Sequence, residues 1–448
     1  MNKFFVWVMF LTLCPLLLFA QAPDTLWTNA FGEDTLACYG YSVQVAWDSG
    51  YVICGVAEDN MFWIPDIYIV KTDNSGNRIW AKTYGENMIC EEAYDIQRSD
   101  DSCYVITGYV DVSGMQDVMI LKIDQDGDTV WLQTYGGSNW DEGRSIQQTS
   151  DGGYIVTGYT HSFGAGEWDV WLLKTDSLGD TVWTKTYGDT RRDIGECVRQ
   201  TSDNGYIITG TMETAAGLYR IYLIRTDSLG DTLWTRTYGS SDRDQGYSGI
   251  ETSDHGFLVT GFNELNYRRD LYLIKTDSLG DTVWTKTYGG TDNEEGRSLQ
   301  QTQDHDYIVC GYTYGQLYDV YLVRIDTLGD TLWTMNYGDW HNDMGWCVLQ
   351  TSDNGYIIAG ETQSFGSYRM YLLKTEPDII NIDENRTTDA VDRGITQTIF
   401  RGPLILPAGK IHKIFDITGR QIRTLNPGPG IYFIEVDDKI VQKVVKIR

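Results

Sequence analysis

Residues 172–188 read Leu172-Leu173-Lys174-Thr175-Asp176-Ser177-Leu178-Gly179-Asp180-Thr181-Val182-Trp183-Thr184-Lys185-Thr186-Tyr187-Gly188, and this stretch decides the fold. It predicts two strands joined by a tight turn from Asp176 to Gly179. Close variants recur at intervals of 49 to 53 residues, and the tryptophan recurs as Trp27, Trp80, Trp131, Trp183, Trp234, Trp284 and Trp333. Repeats of about 50 residues, too small to bury their apolar faces alone, are typical of propellers and solenoids.

Each repeat contains four predicted strands, which we name A to D. In the third repeat, strand A covers residues 143–149, a tight turn follows at 150–153, strand B covers 154–159 and strand C covers 169–175. Strand D carries the recurring tryptophan. Four short antiparallel strands in a unit of this length are typical of a β-propeller blade.

The number of blades follows from the two ends of the repeat region. Sets of A, B and C strands begin near Gly40, Ala93, Gly143, Gly195, Gly246, Gly296 and Gly345. The first Trp strand, 25–31, precedes any strand A, and the last set ends at Thr375 with no Trp strand after it. We therefore predict an all-β fold, a seven-bladed β-propeller over residues 23–377 that the N-terminal strand closes.

Recurring residues predict how the blades pack. Glycine opens six of the seven A strands, which suits innermost strands crowded around an axis. The seven tryptophans, and the aromatic residue that follows each of them four positions later, are predicted to fill the core between blades.

Composition limits the function classes. The chain has 448 residues, of which 42% are hydrophobic, and its formal net charge is −28 at pH 7. The strong negative charge argues against binding to nucleic acid or to anionic membranes. Residues 398–448 differ, with nine Lys or Arg against four Asp or Glu, and this break predicts a domain boundary.

The N-terminus has the three parts of a secretory signal peptide: Lys3, the apolar run 4–20 and small residues up to Ala22. We predict a signal peptide over residues 1–22, with a retained membrane anchor as the alternative. Since no other apolar run is long enough to span a bilayer, the mature chain is expected to be exported without a transmembrane span.

The mature chain would carry seven cysteines, an odd number that cannot form a complete disulfide framework. Four of them replace Ser or Thr of other repeats at strand positions, and they are predicted to be small core residues. These four are Cys54, Cys197, Cys310 and Cys347.

The spacing Asp176…Gly179…Trp183 resembles the tryptophan-docking repeats of quinoprotein-like and kelch-like propellers, in which the Trp of one blade docks on the next. The segments 150–158 and 174–176 also resemble repeat propellers of secreted bacterial proteins. The resemblance covers residues 24–376 and implies the fold only. Quinone chemistry is not implied, because the sequence holds no metal-and-quinone constellation, and we expect no cofactor.

Beyond the repeats, residues 378–397 are polar and are predicted to form a linker. Residues 398–448 then alternate strands with turn glycines. Their three spaced elements, Phe-Asp-x-x-Gly-Arg, Gly-Ile-Tyr-Phe and a Lys-rich apolar end, resemble the C-terminal sorting domain of type IX secretion cargo. The residues that carry this resemblance are Gly419, Arg420, Gly430, Ile431, Tyr432, Lys443 and Lys446.

This second resemblance implies that the type IX secretion machinery is a partner. It also implies a small removable β-sandwich and a protein that is secreted or attached to the outer-membrane surface. Arg401-Gly402-Pro403 departs from the family's usual Pro-Asn-Pro, which leaves the domain boundary open. The alternative is a small β-sandwich with no sorting role.

Ligand recognition is expected on one face of the disc. The A–B and C–D turns are short and alike, whereas the B–C and D–A loops share the opposite face and vary in length and content. We call this the variable face, and variable loops on a rigid scaffold usually carry recognition. Its aromatic and acidic residues suit an extracellular glycan or a protein ligand. The candidate binding residues are Trp63, Trp140, Asp141, Glu142, Trp340 and His341.

Acidic residues also cluster ahead of the A strands. They would either ring the mouth of the axial channel and hold Ca²⁺, or form a solvated acidic rim. They are Glu91, Glu92, Asp141, Glu142, Asp193, Asp244, Glu294, Glu295 and Asp343.

No catalytic or metal-binding residue is assigned. The sequence lacks the His-Glu-x-x-His and Gly-x-Ser-x-Gly motifs, and its five histidines are scattered. Carboxylate pairs are plentiful, however, and only their separation in space would decide for or against a glycosidase.

The sequence thus favours an exported monomer that acts as a non-catalytic binding, adhesion or structural module. The alternative is a secreted enzyme that degrades polysaccharides or peptides with acidic residues of the variable face. A converging carboxylate pair in a deep central pocket would favour the enzyme.

Overall fold

The computed structural model describes residues 22–32, 36–59, 64–85, 89–112, 114–239 and 243–378, and five strands nearer the C-terminus. The predicted signal peptide up to residue 21 lies outside the described residues. No helix in the described part of the chain is long and apolar enough to cross a membrane.

Strands Thr25–Phe31 to Arg369–Thr375 form seven four-stranded antiparallel blades, numbered 1 to 7 by their A strands. One parallel pair, Tyr219 with Arg243, joins blades 4 and 5 into a single sheet. The innermost A strands are Leu36–Val45, Glu91–Arg98, Asp141–Gln148, Asp193–Gln200, Arg243–Glu251, Asn293–Gln301 and Asp343–Gln350. The B strands are Tyr51–Asp59, Tyr104–Val112, Tyr154–Thr160, Tyr206–Glu213, Phe257–Leu265, Tyr307–Tyr314 and Tyr356–Thr362.

The two outer strands of each blade follow the same order. The C strands are Pro65–Thr72, Met115–Ile123, Asp169–Thr175, Tyr219–Thr226, Arg268–Thr276, Tyr318–Ile325 and Arg369–Thr375. The D strands are Arg78–Tyr84, Thr129–Tyr135, Thr181–Tyr187, Thr232–Tyr238, Thr282–Tyr288, Thr331–Tyr337 and, for blade 7, Thr25–Phe31. Each A strand contacts the A strands of both neighbouring blades, so the seven enclose an axis. The predicted seven-bladed propeller is confirmed.

The N-terminal strand closes the ring as predicted. Thr25–Phe31 pairs antiparallel with Arg369–Thr375, and Ala30 lies opposite Tyr371. Blade 7 therefore takes its outer strand from one end of the propeller chain and its other three strands from the other end.

The tryptophans of strand D pack between blades. A Cβ added at Gly230, where φ is +77°, would lie 2.8 Å from the ring of Trp183 in the preceding blade. Only glycine allows this approach at a positive φ. The Tyr187 hydroxyl, four residues after Trp183, donates a hydrogen bond to the Gly230 carbonyl at 2.6 Å. The predicted inter-blade position of these aromatic residues is confirmed.

All seven described cysteines carry free thiols. Cys54, Cys197 and Cys310 are buried and Cys347 is half-buried, in agreement with their prediction as small core residues.

The C-terminal strands form a second compact unit with one five-stranded sheet. Thr396–Phe400 runs parallel to Lys439–Lys446, and the other pairs are antiparallel. The predicted β-sandwich stays a prediction, because the second sheet that it requires is not among the described strands. The five strands are Thr396–Phe400, His412–Asp416, Gln421–Ile422, Gly430–Val436 and Lys439–Lys446.

Candidate functional site

A β-bulge in every A strand builds the strongest candidate site. In blade 3, Gly143 pairs with Gly158 and Ser145 pairs with Thr157, so Arg144 has no residue opposite it. The same shift occurs at the equivalent position of all seven blades. A bulge of this kind re-aims one side chain out of the regular ladder.

The seven bulged residues form what we call the axial ring. They lie on the innermost strands, near the end of each strand that follows a D–A loop. These strand ends surround the mouth of the channel on the variable face. All seven residues are half-buried. The axial ring consists of Tyr41, Tyr94, Arg144, Glu196, Tyr247, Arg297 and Trp346.

Ring residues of neighbouring blades contact one another around the axis. The ring centroid of Tyr41 lies 5.6 Å from that of Tyr94 and 6.0 Å from that of Trp346. The Arg144 guanidinium lies 4.4 Å from the Tyr94 centroid, and the Arg297 guanidinium lies 3.8 Å from the Tyr247 centroid. Arg297 also lies 4.8 Å from Trp346. Cation–π contacts of this kind stabilise the ring.

Buried glutamates position the two guanidinium groups. Nη2 of Arg144 lies 2.7 Å from Oε1 of Glu142, and the other carboxylate oxygen, Oε2, accepts a hydrogen bond from the Tyr159 hydroxyl. Nη2 of Arg297 donates to Glu295 at 2.6 Å and to the Tyr312 hydroxyl at 2.9 Å. Among the described residues, each guanidinium group is therefore held through its Nη2 atom.

Glu196 is different from the other acidic residues of the mouth. Within the part of the chain that the structure describes, its carboxylate has no hydrogen bond and no ion pair at contact distance, and its oxygens are not sealed from solvent. Ile194 and Thr211, which pair in the same blade, stand where blade 3 has Glu142 and Tyr159. Burial raises the pKa of Glu196, and the charges of Arg144 and Arg297 limit the rise.

A second polar layer lies one residue further along the A strands. Asp95 is buried and accepts hydrogen bonds from the Ser42 hydroxyl at 2.9 Å and the Ile146 amide at 3.0 Å. Burial raises the pKa of Asp95, with Arg199 acting in the opposite direction. This layer joins blades 1, 2 and 3 beneath the axial ring.

The acidic residues ahead of the A strands do not form a solvated rim. Asp141 is fully buried and accepts the Gly137 amide at 2.8 Å, and Asp193 likewise accepts the Asp189 amide at 2.8 Å. The alternative of a solvated acidic rim is wrong, since eight of the nine residues are buried. Among the described residues, no group of three or more His, Cys, Asp or Glu is arranged to hold a metal ion.

The predicted loop residues lie in separate places. Trp140 and Trp340 are exposed in the D–A loops before blades 3 and 7, and Trp340 is 91% exposed. His341 Nδ1 lies 2.9 Å from Asp339 Oδ1. Asp141 is engaged in its own loop, Glu142 contacts the axial ring, and Trp63 lies outside the described residues.

A cavity of about 430 Å³ lies where strand Thr25–Phe31 meets blades 6 and 7, and Trp340 is not among its lining residues. Asp339, Asp343 and Phe365 are among its lining residues. Burial raises the pKa of Asp343, whereas hydrogen bonds from His341 and Ser364 lower that of Asp339. The cavity lies at the blade 6–7 contact and not on the axis.

The residues of the predicted sorting signal fall on two paired strands where they are described. Gly430 lies opposite Lys446, and Phe433, next to Tyr432, lies opposite Lys443. Gly419 and Arg420 lie outside the described residues.

Sequence reasoning missed the axial ring. The signal was present, because the residue after the recurring strand A glycine is large and differs in chemistry from repeat to repeat while its neighbours recur. Without the register, however, nothing showed that this residue leaves the ladder.

The chain was compared with known proteins. No protein-family model matches it, and no curated protein matches its sequence. The Pan2 WD40 domain from Neurospora crassa is similar with a TM-score of 0.51 at 8% identity, over 81% of this chain and 98% of that one. Chaetomium thermophilum Raptor is similar with a TM-score of 0.50 at 10% identity, over 79% of this chain and 29% of that one.

The β-propeller domain of the Trilobed protease from Pyrococcus furiosus is also similar in structure. Its TM-score is 0.45 at 11% identity, over 79% of this chain and 100% of that domain. At identities this low, the likenesses to Pan2 and Raptor show the fold alone and agree with the blades described above: this chain is a β-propeller.

Proposed function

We propose that this protein is a non-catalytic binding module of the cell exterior, with its ligand held on the variable face at the mouth of the axial channel. The axial ring carries the proposal. Seven side chains of four kinds (three Tyr, two Arg, one Glu and one Trp) converge at one mouth, each displaced from a sheet whose neighbouring positions recur. A constant scaffold with diverse residues at one place is how binding proteins build specificity.

Export through the type IX secretion machinery is part of the same proposal. It is supported by the signal-peptide pattern of residues 1–22 and by the sorting-domain resemblance of residues 398–448. A chain without residues 398–448 should accumulate inside a type IX-competent bacterium while the full chain reaches the surface or the medium. Equal export of both chains would contradict this part.

The carboxylates of the cavity do not favour the enzyme. Asp343 accepts the amide of Asp339, four residues earlier, at 3.0 Å, and Asp193 accepts the amide of Asp189 in the same way. A contact that recurs in blade 4 is explained by loop closure, so it is not evidence for an acid–base pair.

Glycan and peptide arrays probed with the full chain, with and without Ca²⁺, test the binding module. We expect saturable binding, with bound ligands intact by mass spectrometry. Cleaved products would overturn the non-catalytic role and favour the secreted hydrolase. The exposed candidates Trp140 and Trp340 are tested by alanine substitution in the same assay.

A further inference from the structure

We propose that the axial ring binds one unit of an uncharged saccharide, whose hydroxyl groups bond Glu196, Arg144 and Arg297 and whose apolar face packs on the ring's aromatic side chains. This inference rests on the proposed binding function and assigns it a ligand class.

Unused hydrogen-bonding groups of both kinds remain at the mouth. Glu196 offers acceptors, while Arg144 and Arg297 each use only Nη2 among the described residues. Nε of both arginines is buried from solvent, so Nη1 is the unused donor of each that a ligand can reach. The ligand must therefore accept from guanidinium groups and donate to a carboxylate, and a hydroxyl group does both.

The charges around these groups favour a neutral ligand over a simple ion. An anion at Arg144 or Arg297 would face the buried carboxylates of Glu142 and Glu295. A cation at Glu196 would face the two guanidinium charges that already act on that carboxylate. Like charges at close range are unfavourable in a half-buried site, so a neutral polyol fits best.

Aromatic side chains supply the apolar part of the site. In blade 1, the rings of Tyr39 and Tyr41 lie within 5° of parallel with centroids 6.4 Å apart, and Tyr41 also contacts Trp346. Ligand sites combine such apolar surface with a few convergent polar groups that fix orientation. The C–H face of a pyranose suits this surface while its hydroxyl groups reach Glu196 and the arginines.

The test uses the full chain on an array of neutral, amino-bearing and acidic glycans and of peptides. The strongest neutral binder is then titrated by calorimetry and by tryptophan fluorescence. We expect Glu196→Gln to weaken binding about tenfold to a hundredfold, because a charge-assisted hydrogen bond becomes a neutral one. Trp346→Phe should also reduce the fluorescence change on binding.

The matched control is Glu167→Gln. Glu167 is an exposed glutamate of the B–C loop in blade 3, and Arg192, at 3.0 Å, is its only ion-pair partner among the described residues. This variant should bind as the parent does, and the melting temperatures of all variants show whether they fold.

The outcomes separate this inference from the proposed function. Binding of a ligand that survives Glu196→Gln and Trp346→Phe overturns the ring site and leaves the binding module standing. Preference for peptides, amines or acidic glycans overturns the ligand class alone. Absence of saturable binding on every array overturns both.

Discussion

Six contacts between blades differ from the seventh in how they are closed. At the six, a C–D turn of one blade receives the tryptophan of the preceding blade. At five of them the turn also receives the tyrosine, as Gly230 receives Trp183 and Tyr187, and between blades 7 and 1 Asn29 donates to the Gly76 carbonyl instead. Between blades 6 and 7 no such turn exists, because strands C and D of blade 7 come from opposite ends of the propeller chain.

Residues at both ends of the propeller segment replace the missing turn. The Tyr337 hydroxyl donates to the Pro23 carbonyl at 2.6 Å, and Trp333 Nε1 lies 3.3 Å from both carboxylate oxygens of Asp378. Asp378 also accepts from the Tyr356 hydroxyl at 2.6 Å and lies 3.5 Å from Arg324. At six contacts the tryptophan thus packs on the main chain of a C–D turn, whereas at the seventh it contacts one buried carboxylate, that of Asp378.

Asp378→Ala should have the largest effect. It removes the common partner of Trp333, Tyr356 and Arg324, all of them buried, and we expect a loss of about 3 kcal/mol in the free energy of unfolding. Urea unfolding of the full chain measures it. As a control, Asp231→Asn breaks an exposed pair with Lys185 at 2.8 Å and should cost less than about 1 kcal/mol. Equal losses in the two variants would contradict the dependence on Asp378.

Gly230→Ala tests one of the six contacts that use a C–D turn. The added Cβ meets Trp183 at 2.8 Å and the residue is held at a φ of +77°, so we expect a loss of about 2 kcal/mol. Gly217→Ala has a similar φ of +72° but open space around its Cβ, and should cost about 1 kcal/mol through strain alone. If both variants unfold at the same urea concentration, the approach of Trp183 contributes nothing.

The two kinds of contact are compared directly by Tyr187→Phe and Tyr337→Phe. Each removes one buried hydrogen bond to a carbonyl, of Gly230 or of Pro23, and should cost about 1 kcal/mol by urea unfolding. A Tyr337→Phe protein as stable as the parent would show that the N-terminal end is not an equivalent of the turn.

The smallest expected effect is a pH dependence of the free energy of unfolding, to which blade 7 and blade 4 contribute at different pH values. Burial raises the pKa of Glu361 in blade 7 to about 7 and that of Asp193 in blade 4 to about 6. A carboxyl group whose pKa is higher in the folded state contributes to the stability of the folded protein, and this contribution is complete at a pH below the pKa of the unfolded state. It is lost as the pH rises through the pKa of the folded state. The free energy of unfolding should therefore fall by about 1 kcal/mol or less per group over one pH unit near each value.

Urea unfolding at several pH values checks this dependence. Glu361→Gln should remove the part near pH 7, and Asp193→Asn the part near pH 6. A profile that neither substitution changes would place the titrating groups elsewhere.

The fold was accessible from the sequence because its determinants are local and repeated. The spacing of the tryptophans, the turn from Asp176 to Gly179 and the lone strand 25–31 each predict a feature that the structure confirms. Repetition supplied seven independent views of the same unit, so one unusual residue, such as Ala93 in place of a strand A glycine, did not obscure the pattern.

The candidate site was less accessible, because it depends on register and on partners distant in sequence. Arg144 and Glu196 reach the mouth only because a bulge shifts them, and a one-residue change of register reverses the side on which a side chain lies. Asp378 stands where the sequence predicts the linker to begin, yet it is buried against residues 22 to 54 positions earlier. The composition of the sequence shows neither the bulge nor the burial of Asp378.

The bulge that creates the axial ring has a consequence for how such a protein changes over time. Since Arg144 has no residue opposite it, replacing it disturbs no cross-strand pair of the sheet. Each of the seven positions lies in a separate copy of the repeat, so a substitution in one copy leaves the sequence of the other six unchanged. Duplication of this unit therefore supplies a mouth that can acquire a new preference one residue at a time, while the blades that hold it keep their sequence.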